Sequence, residues 1–243
     1  MIDFSFRQRI KTLHFISTTA VFDSATLSPE NTTFEKYLSK KQAIPVGGYA
    51  QSKWVAEQLI SLASKRGVPI TIFRPGAVSS ALDTPKHVSK DLLTQLLLVC
   101  QKLRLAPREK GLVDFVPADY ASKAISLISQ DVRAAGKVFH LTHPHPASIP
   151  ELIAELNSLG AEIKDVPYEE WLKRVIEFSK KNKDENLLSL LPLMTEPIPH
   201  VGVSWLEMIL NRSVFSCENT IKLLENKNIF PPSIAQLVMK YFF

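Results

Sequence analysis

Residues 47–75 read GGYAQSKWVAEQLISLASKRGVPITIFRP, and the spacing of their apolar positions changes partway along. Over 49–65, Trp54, Val55, Leu59, Ile60 and Leu62 recur at helical spacing, and Gly67 follows as a C-terminal cap. Residues 68–73 then form a β-branched run that ends in Arg74-Pro75-Gly76, as a buried strand entering a loop does. A helix handing over to a strand is βαβ grammar. Working outward, residues 12–17 (TLHFIS) are apolar up to the hydroxyl cluster Ser17-Thr18-Thr19, which predicts a buried parallel strand opening into a loop. Residues 24–45 are polar, with Pro29, Asn31 and a lysine pair, and read as a long surface excursion.

Downstream, the pattern predicts a helix over 91–103, a short strand over 112–116 and a helix over 117–129. The last is opened by Pro117 and carries Asp119 in its first turn. A third strand is expected over 137–141. Past it the character changes: 150–159 and 168–180 are amphipathic helices, with more helical segments up to Phe243. The reading is an α/β chain, a partial Rossmann-like doubly wound parallel sheet with a mostly helical carboxy-terminal cap. Residues 1–143 would form the core and 144–243 the cap, with the boundary within 143–150.

Hydrophobic residues at 45% and charged residues at 22% exclude a disordered chain. The longest apolar run, 96–100, is far too short to cross a bilayer, and residues 1–11 lack a secretory pattern, so a cytoplasmic protein without membrane contact is expected. The net charge of +5 is spread along the chain, which argues against nucleic acid. It suits an anionic cofactor, a phosphopantetheine arm or an acidic carrier protein instead. Cys100 and Cys217 are far apart with no CxxC spacing and read as buried thiols. His140, His143 and His145 do not make a metal site, because Pro144 and Pro146 break any regular face and no cysteine or carboxylate cluster completes one.

Chemistry is concentrated at Tyr49 and Lys53, which lie four residues apart at the start of the expected helix and so share one face. An ammonium beside a phenol favours the phenolate, which suits proton transfer near neutral pH. The hydroxyls ending the first strand can polarise a carbonyl oxygen beside that phenol.

HFISTTAVF (14–22), GGYAQSKWVAE (47–57), ITIFRPGAV (70–78) and DFVPADYASKAI (114–125) together resemble the extended short-chain dehydrogenase/reductases. They are most similar to the thioester reductase domains that end nonribosomal peptide and polyketide synthetases, carboxylic acid reductases and aminoadipate reductase. FHLTHPHP (139–146), VPYEEWLKRV (166–175) and ENLLSLLPLM (185–194) resemble that family's carboxy-terminal region, so the similarity spans most of the chain. The resemblance implies Thr18 as catalytic hydroxyl, with Ser17 as the alternative, Tyr49 as general acid, and Lys53 as the residue that tunes the phenol and holds the nicotinamide ribose. It implies that Arg74, Pro75, Gly76, Ala77 and Val78 lie along the nicotinamide side of the cofactor, and that Asp119 and Tyr120 are structural.

The activity implied is NADPH-dependent reduction of an acyl thioester, held on the phosphopantetheine arm of an acyl or peptidyl carrier protein, to an aldehyde or alcohol. One departure matters. The glycines Gly47, Gly48, Gly67, Gly76, Gly111, Gly136, Gly160 and Gly202 assemble no GxGxxG turn, the element that grips a dinucleotide's phosphates. Roughly a hundred residues of such fold would have to come from elsewhere, as a missing N-terminal segment or an oligomer partner. The alternative is a cofactor-free homologue acting as an acyl- or carrier-binding module or as a non-redox acid-base enzyme.

Overall fold

In chain order, the computed structural model begins with helix α1 (Ile2–Phe6), strand β1 (Leu13–Ile16), a 3-10 turn (Thr19–Phe22), β2 (Thr32–Thr33), α2 (Gly48–Lys65), β3 (Ile70–Pro75) and β4 (Ala77–Ser79). Next come α3 (Leu92–Leu103), β5 (Leu105–Pro107), β6 (Leu112–Val113), β7 (Phe115–Pro117), α4 (Ala118–Ser129) and β8 (Val138–Leu141). They are followed by β9 (Ala147–Ser148), α5 (Ile149–Ser158), β10 (Lys164–Val166) and α6 (Tyr168–Asn182). Last are α7 (Glu185–Thr195), α8 (Trp205–Leu210), β11 (Val214–Phe215) and α9 (Glu218–Leu224). The structure describes residues 2–7, 9–24, 31–39, 41–82, 92–108, 111–233, 236–237 and 240. Asp91, part of the expected 91–103 helix, and the stretch 25–30 of the expected excursion lie outside them.

Two compact units are interleaved along the sequence. One comprises Met1–Val78, Asp114–His145 and Ser213–Pro231; the other comprises Ser79–Val113, Pro146–Arg212 and Pro232–Phe243. One junction falls at 145–146, and the others at 78–79, 113–114, 212–213 and 231–232. Residues 79–113 leave the core because β5 pairs in parallel with β10. Residues 213–231 return to it because β11 pairs with β2 and α9 packs on β8.

The first unit is built on a parallel sheet ordered β1-β3-β8, with Leu13 opposite Ile70 and Phe73 opposite Phe139. β3 is central, so both its faces must be apolar, and its residues from Ile70 to Arg74 are buried. Ile70 and Ile72 pack with Leu13, Val138 and, from α2, Ile60 and Ala63. Phe73 points to the other face, among Val116, Tyr120, Ala124, Phe139 and Leu224 of β7, α4, β8 and α9. Helices on both faces of a parallel sheet are the doubly wound arrangement expected from the sequence. Each fully buried Ile or Phe contributes about 1.5–3 kcal/mol of transfer free energy.

α2 ends as expected, with Gly67 at φ +94, and only part of its apolar spacing turns inward. Ala50, Glu57, Ile60 and Ala63 are buried, whereas Val55, Leu59 and Leu62 are about half exposed. The expected excursion over 24–45 is also partly internal. Leu38 and Pro45 are buried, and the Glu35 carboxylate accepts from the backbone N–H groups of His140, Asn219 and Thr220.

In the second unit, Ser148 with Glu151 and Ser204 with Glu207 form reciprocal capping boxes at the starts of α5 and α8. Trp171 and Val175 of α6 are fully buried. Gly111 is required by a close approach: a Cβ there would lie 2.6 Å from the Leu210 Cβ and 3.0 Å from its carbonyl oxygen. Gly111→Ala is therefore expected to destabilise the fold by about 1–3 kcal/mol through overpacking, read as a lowered urea midpoint with unchanged slope. No helix among the described residues is long and apolar enough to cross a membrane. Both cysteines are free and buried, and burial pushes both thiols up to about 12.

Candidate active site

β1 stops at Ile16, and the chain leaves the sheet through Ser17 and Thr18. The Ser17 N–H still donates to the Phe73 carbonyl at 2.7 Å, which holds the strand end against β3. Thr18 is extended (φ −161, ψ 153), and its Oγ1 accepts from the Ala20 N–H at 3.2 Å, capping the 3-10 turn. Both side chains are buried, and the Ser17 hydroxyl has no hydrogen-bond partner.

α2 packs against that 3-10 turn. Its cap residue, Gly47, has φ 85 and offers no side-chain bond, so the first helical turn is held by longer-range contacts. The Lys53 Nζ donates to the Ile16 carbonyl at 3.0 Å and sits 5.4 Å from the Phe15 ring centroid. This brings Lys53 to the strand end that carries Ser17 and Thr18. Tyr49, one turn earlier, is 63% exposed, so its side chain is open to solvent.

The stretch 74–78 divides in two. Pro75, Gly76, Ala77 and Val78 follow the carboxyl end of β3 into β4, on the side of a parallel sheet where α/β proteins bind ligands. The Gly76 N–H donates to the Leu141 carbonyl, and a Cβ on Gly76 would come within 3.3 Å of the Thr142 methyl. Arg74 is set apart: its side chain is fully buried and directed inward, away from the loop that follows. Its Nε and Nη2 donate to the two Glu57 carboxylate oxygens at 2.8 and 2.5 Å. Its Nη1 donates to the Lys36 carbonyl at 3.0 Å, and the guanidinium lies 4.8 Å from the Phe22 ring centroid.

His140 extends this buried network. Its Nδ1 lies 2.9 Å from the Ser216 carbonyl and its Nε2 lies 3.2 Å from Arg74 Nη1. A carbonyl only accepts and a guanidinium only donates, so the proton sits on Nδ1 and the ring is neutral. Burial, with the Arg74 cation beside it, pushes the imidazole down to about 3 from its ordinary 6.5. Between those values the unfolded chain binds a proton that the folded chain refuses, so stability present above pH 6.5 is lost as pH falls towards 3. The expected loss is about 1.4 kcal/mol per pH unit. Glu35 works the other way, since burial raises its carboxyl. The check is therefore comparative: urea unfolding at about pH 7 and about pH 5 should show a smaller difference for His140→Gln than for the natural protein, and equal differences would contradict the assignment.

The sequence singled out neither Glu57 nor Glu35. A carboxylate between Ala56 and Leu59 on a core-facing helix was the available signal, because such a charge must find a buried partner. Asp119 and Tyr120 are built into the fold: the Asp119 carboxylate accepts from the Tyr120 N–H, and burial raises the Tyr120 phenol.

Residues 1–125 match the family model described as male sterility protein, a model of NAD-binding domains. The crystal structure of the terminal R domain from the myxalamid PKS-NRPS biosynthetic pathway superposes with a TM-score of 0.81 at 32% identity, covering 98% of this chain and 59% of that one. A linear gramicidin synthase polypeptide of Brevibacillus parabrevis is 33% identical over 180 residues, 74% of this chain and 4% of its own length. Aldehyde reductase lnaA of Aspergillus flavus is 26% identical over 254 residues, 96% of this chain and 23% of its own length. The chain thus spans less than two thirds of each. With the hydroxyl, tyrosine and lysine placed on a doubly wound sheet, the chain belongs to the NAD-binding male sterility protein family, among the thioester reductases of the extended short-chain dehydrogenase/reductases.

Proposed function

We propose that this chain carries the acid-base half of an NADPH-dependent thioester reductase, which converts an acyl group on a carrier protein's phosphopantetheine arm to an aldehyde or alcohol. The observation that carries the reading is the Lys53 Nζ bond to the Ile16 carbonyl, which sets the first turn of α2 beside the hydroxyl-bearing end of β1. Residues at that end suit the nicotinamide half of a dinucleotide. The buried Ser17 hydroxyl is unpartnered, and the backbone after β3 passes through Gly76 with little room to spare. Lys53 would hold the ribose, and Pro75, Gly76, Ala77 and Val78 would lie along the nicotinamide.

When bound, the dinucleotide supplies a hydride. Thr18 and Tyr49 hydrogen-bond the thioester oxygen and stabilise the charge that develops on it. Lys53, one turn along, keeps its ammonium at the hydroxyl-bearing end of β1, and Tyr49 supplies the proton. Overall, one thioester, one NADPH and one proton give aldehyde, free thiol and NADP; a second round with the aldehyde gives alcohol. β1 is an edge strand among the described residues, and with the half-exposed Val55, Leu59 and Leu62 it supports a surface for a further segment or a second copy of the chain.

The test supplies an acyl-loaded carrier protein and NADPH to the protein as its source organism makes it. Aldehyde or alcohol should appear with a matching amount of free thiol and oxidised dinucleotide. Thioester cleavage with no dinucleotide oxidised would instead favour a non-redox acid-base enzyme.

A further inference from the structure

α2 carries Tyr49, Lys53 and Glu57 at successive steps of four residues, so a shift of the helix along its axis moves all three together. The helix has no side-chain cap, its outer stripe is half exposed, and its inner contacts through Ile60 and Ala63 are apolar. Apolar contacts are non-directional, so the polar contacts fix the helix along its axis: the single Lys53 bond to the Ile16 carbonyl and, one turn further along, the two-point Glu57–Arg74 pair. Both side chains are essentially excluded from solvent, and two parallel N–H···O bonds join them, the geometry in which a guanidinium imposes position as well as attraction. Arg74 is braced in turn by the Lys36 carbonyl, by Phe22 and by His140, whose ring is tied to the Ser216 carbonyl. The same guanidinium sits on β3, directly before Pro75 and Gly76. A buried ion pair seldom adds net stability over a well-packed apolar pair, so this pair's value lies in the geometry it enforces.

We propose that Glu57 and Arg74 are positioning residues that lock the axial register of α2 against β3, and so set Tyr49 and Lys53 relative to Thr18 and to the loop after β3. The proposal rests on the reductase reading above. A displacement of about 1 Å at a reacting group costs on the order of 100-fold in rate, so small slippage of the helix is enough to be measured.

The experiment uses the intact natural protein with two mild variants. Arg74→Lys keeps the charge but loses the fork, and Glu57→Asp keeps both charges with one methylene less reach. The readouts are kcat and KM for the carrier-bound thioester, the fraction folded, and the pH titration of the Tyr49 ring-carbon NMR signal, assigned with Tyr49→Phe. Per folded molecule, at least one variant should lose about ten-fold or more in kcat, with KM within about two-fold and a displaced Tyr49 titration. Folded variants with natural kcat and a superimposable Tyr49 titration would overturn the proposal. Should the natural protein reduce no thioester, the reductase reading fails on its own. The Tyr49 signal then still decides the positioning role, displaced curves supporting it and superimposable curves overturning it.

Discussion

Tyr49→Phe is expected to lower kcat for thioester reduction by about 100- to 10,000-fold, the range general acid catalysis supplies. Stability should stay within about 0.5 kcal/mol of the natural protein. The two expectations separate because Tyr49 is 63% exposed and its phenol makes no hydrogen bond among the described residues, so removing the oxygen disturbs no packing and leaves no buried group unpaired. Steady-state kinetics alongside urea unfolding check both. Activity above about a tenth of the natural level would remove the phenol from the proton-transfer step.

Glu57→Ala is expected to cost about 3–5 kcal/mol of stability, because it strands the buried Arg74 cation without its carboxylate partner. That is a large share of the roughly 5–15 kcal/mol a domain has to lose. Soluble yield should fall, and the unfolding midpoint of what remains should drop with it. A loss below about 1 kcal/mol would mean that Arg74 reaches solvent or another carboxylate when Glu57 is gone. The contrast with Tyr49→Phe is diagnostic: two residues on one helix, two turns apart, should fail in opposite ways, one in rate and one in folding.

Local pattern reached far into this fold. The strands at 13–16, 70–75 and 138–141 and the helices after Gly47 and Pro117 follow from period and caps, because a parallel sheet needs continuous apolar runs and a helix needs its own spacing. The placement of Ser17 and Thr18 at a strand end and of Tyr49 and Lys53 near a helix start was legible, because it follows from the same period and caps. Glu35 was not. It bonds to residues 219 and 220, more than 180 positions away, and nothing in a polar stretch tells which buried N–H groups it will satisfy. The inward face of α2 was not legible for a related reason. Val55, Leu59 and Leu62 form one apolar stripe and Ile60 and Ala63 another, and hydrophobicity alone does not say which turns inward; the buried Glu57–Arg74 pair does. The interleaving of the two units depends on pairings such as β5 with β10, which short strands do not announce.

The central claim is that this site delivers hydride chemistry to a thioester carbonyl. NADPH carrying deuterium at its transferable C4 position, incubated with the intact natural protein and an acyl-loaded carrier protein, tests it most directly by mass spectrometry of the product. The account predicts one deuterium on the aldehyde carbon, one equivalent of carrier thiol released, and neither with Tyr49→Phe. A carboxylic acid product, with the thioester consumed and the labelled dinucleotide intact, would contradict it.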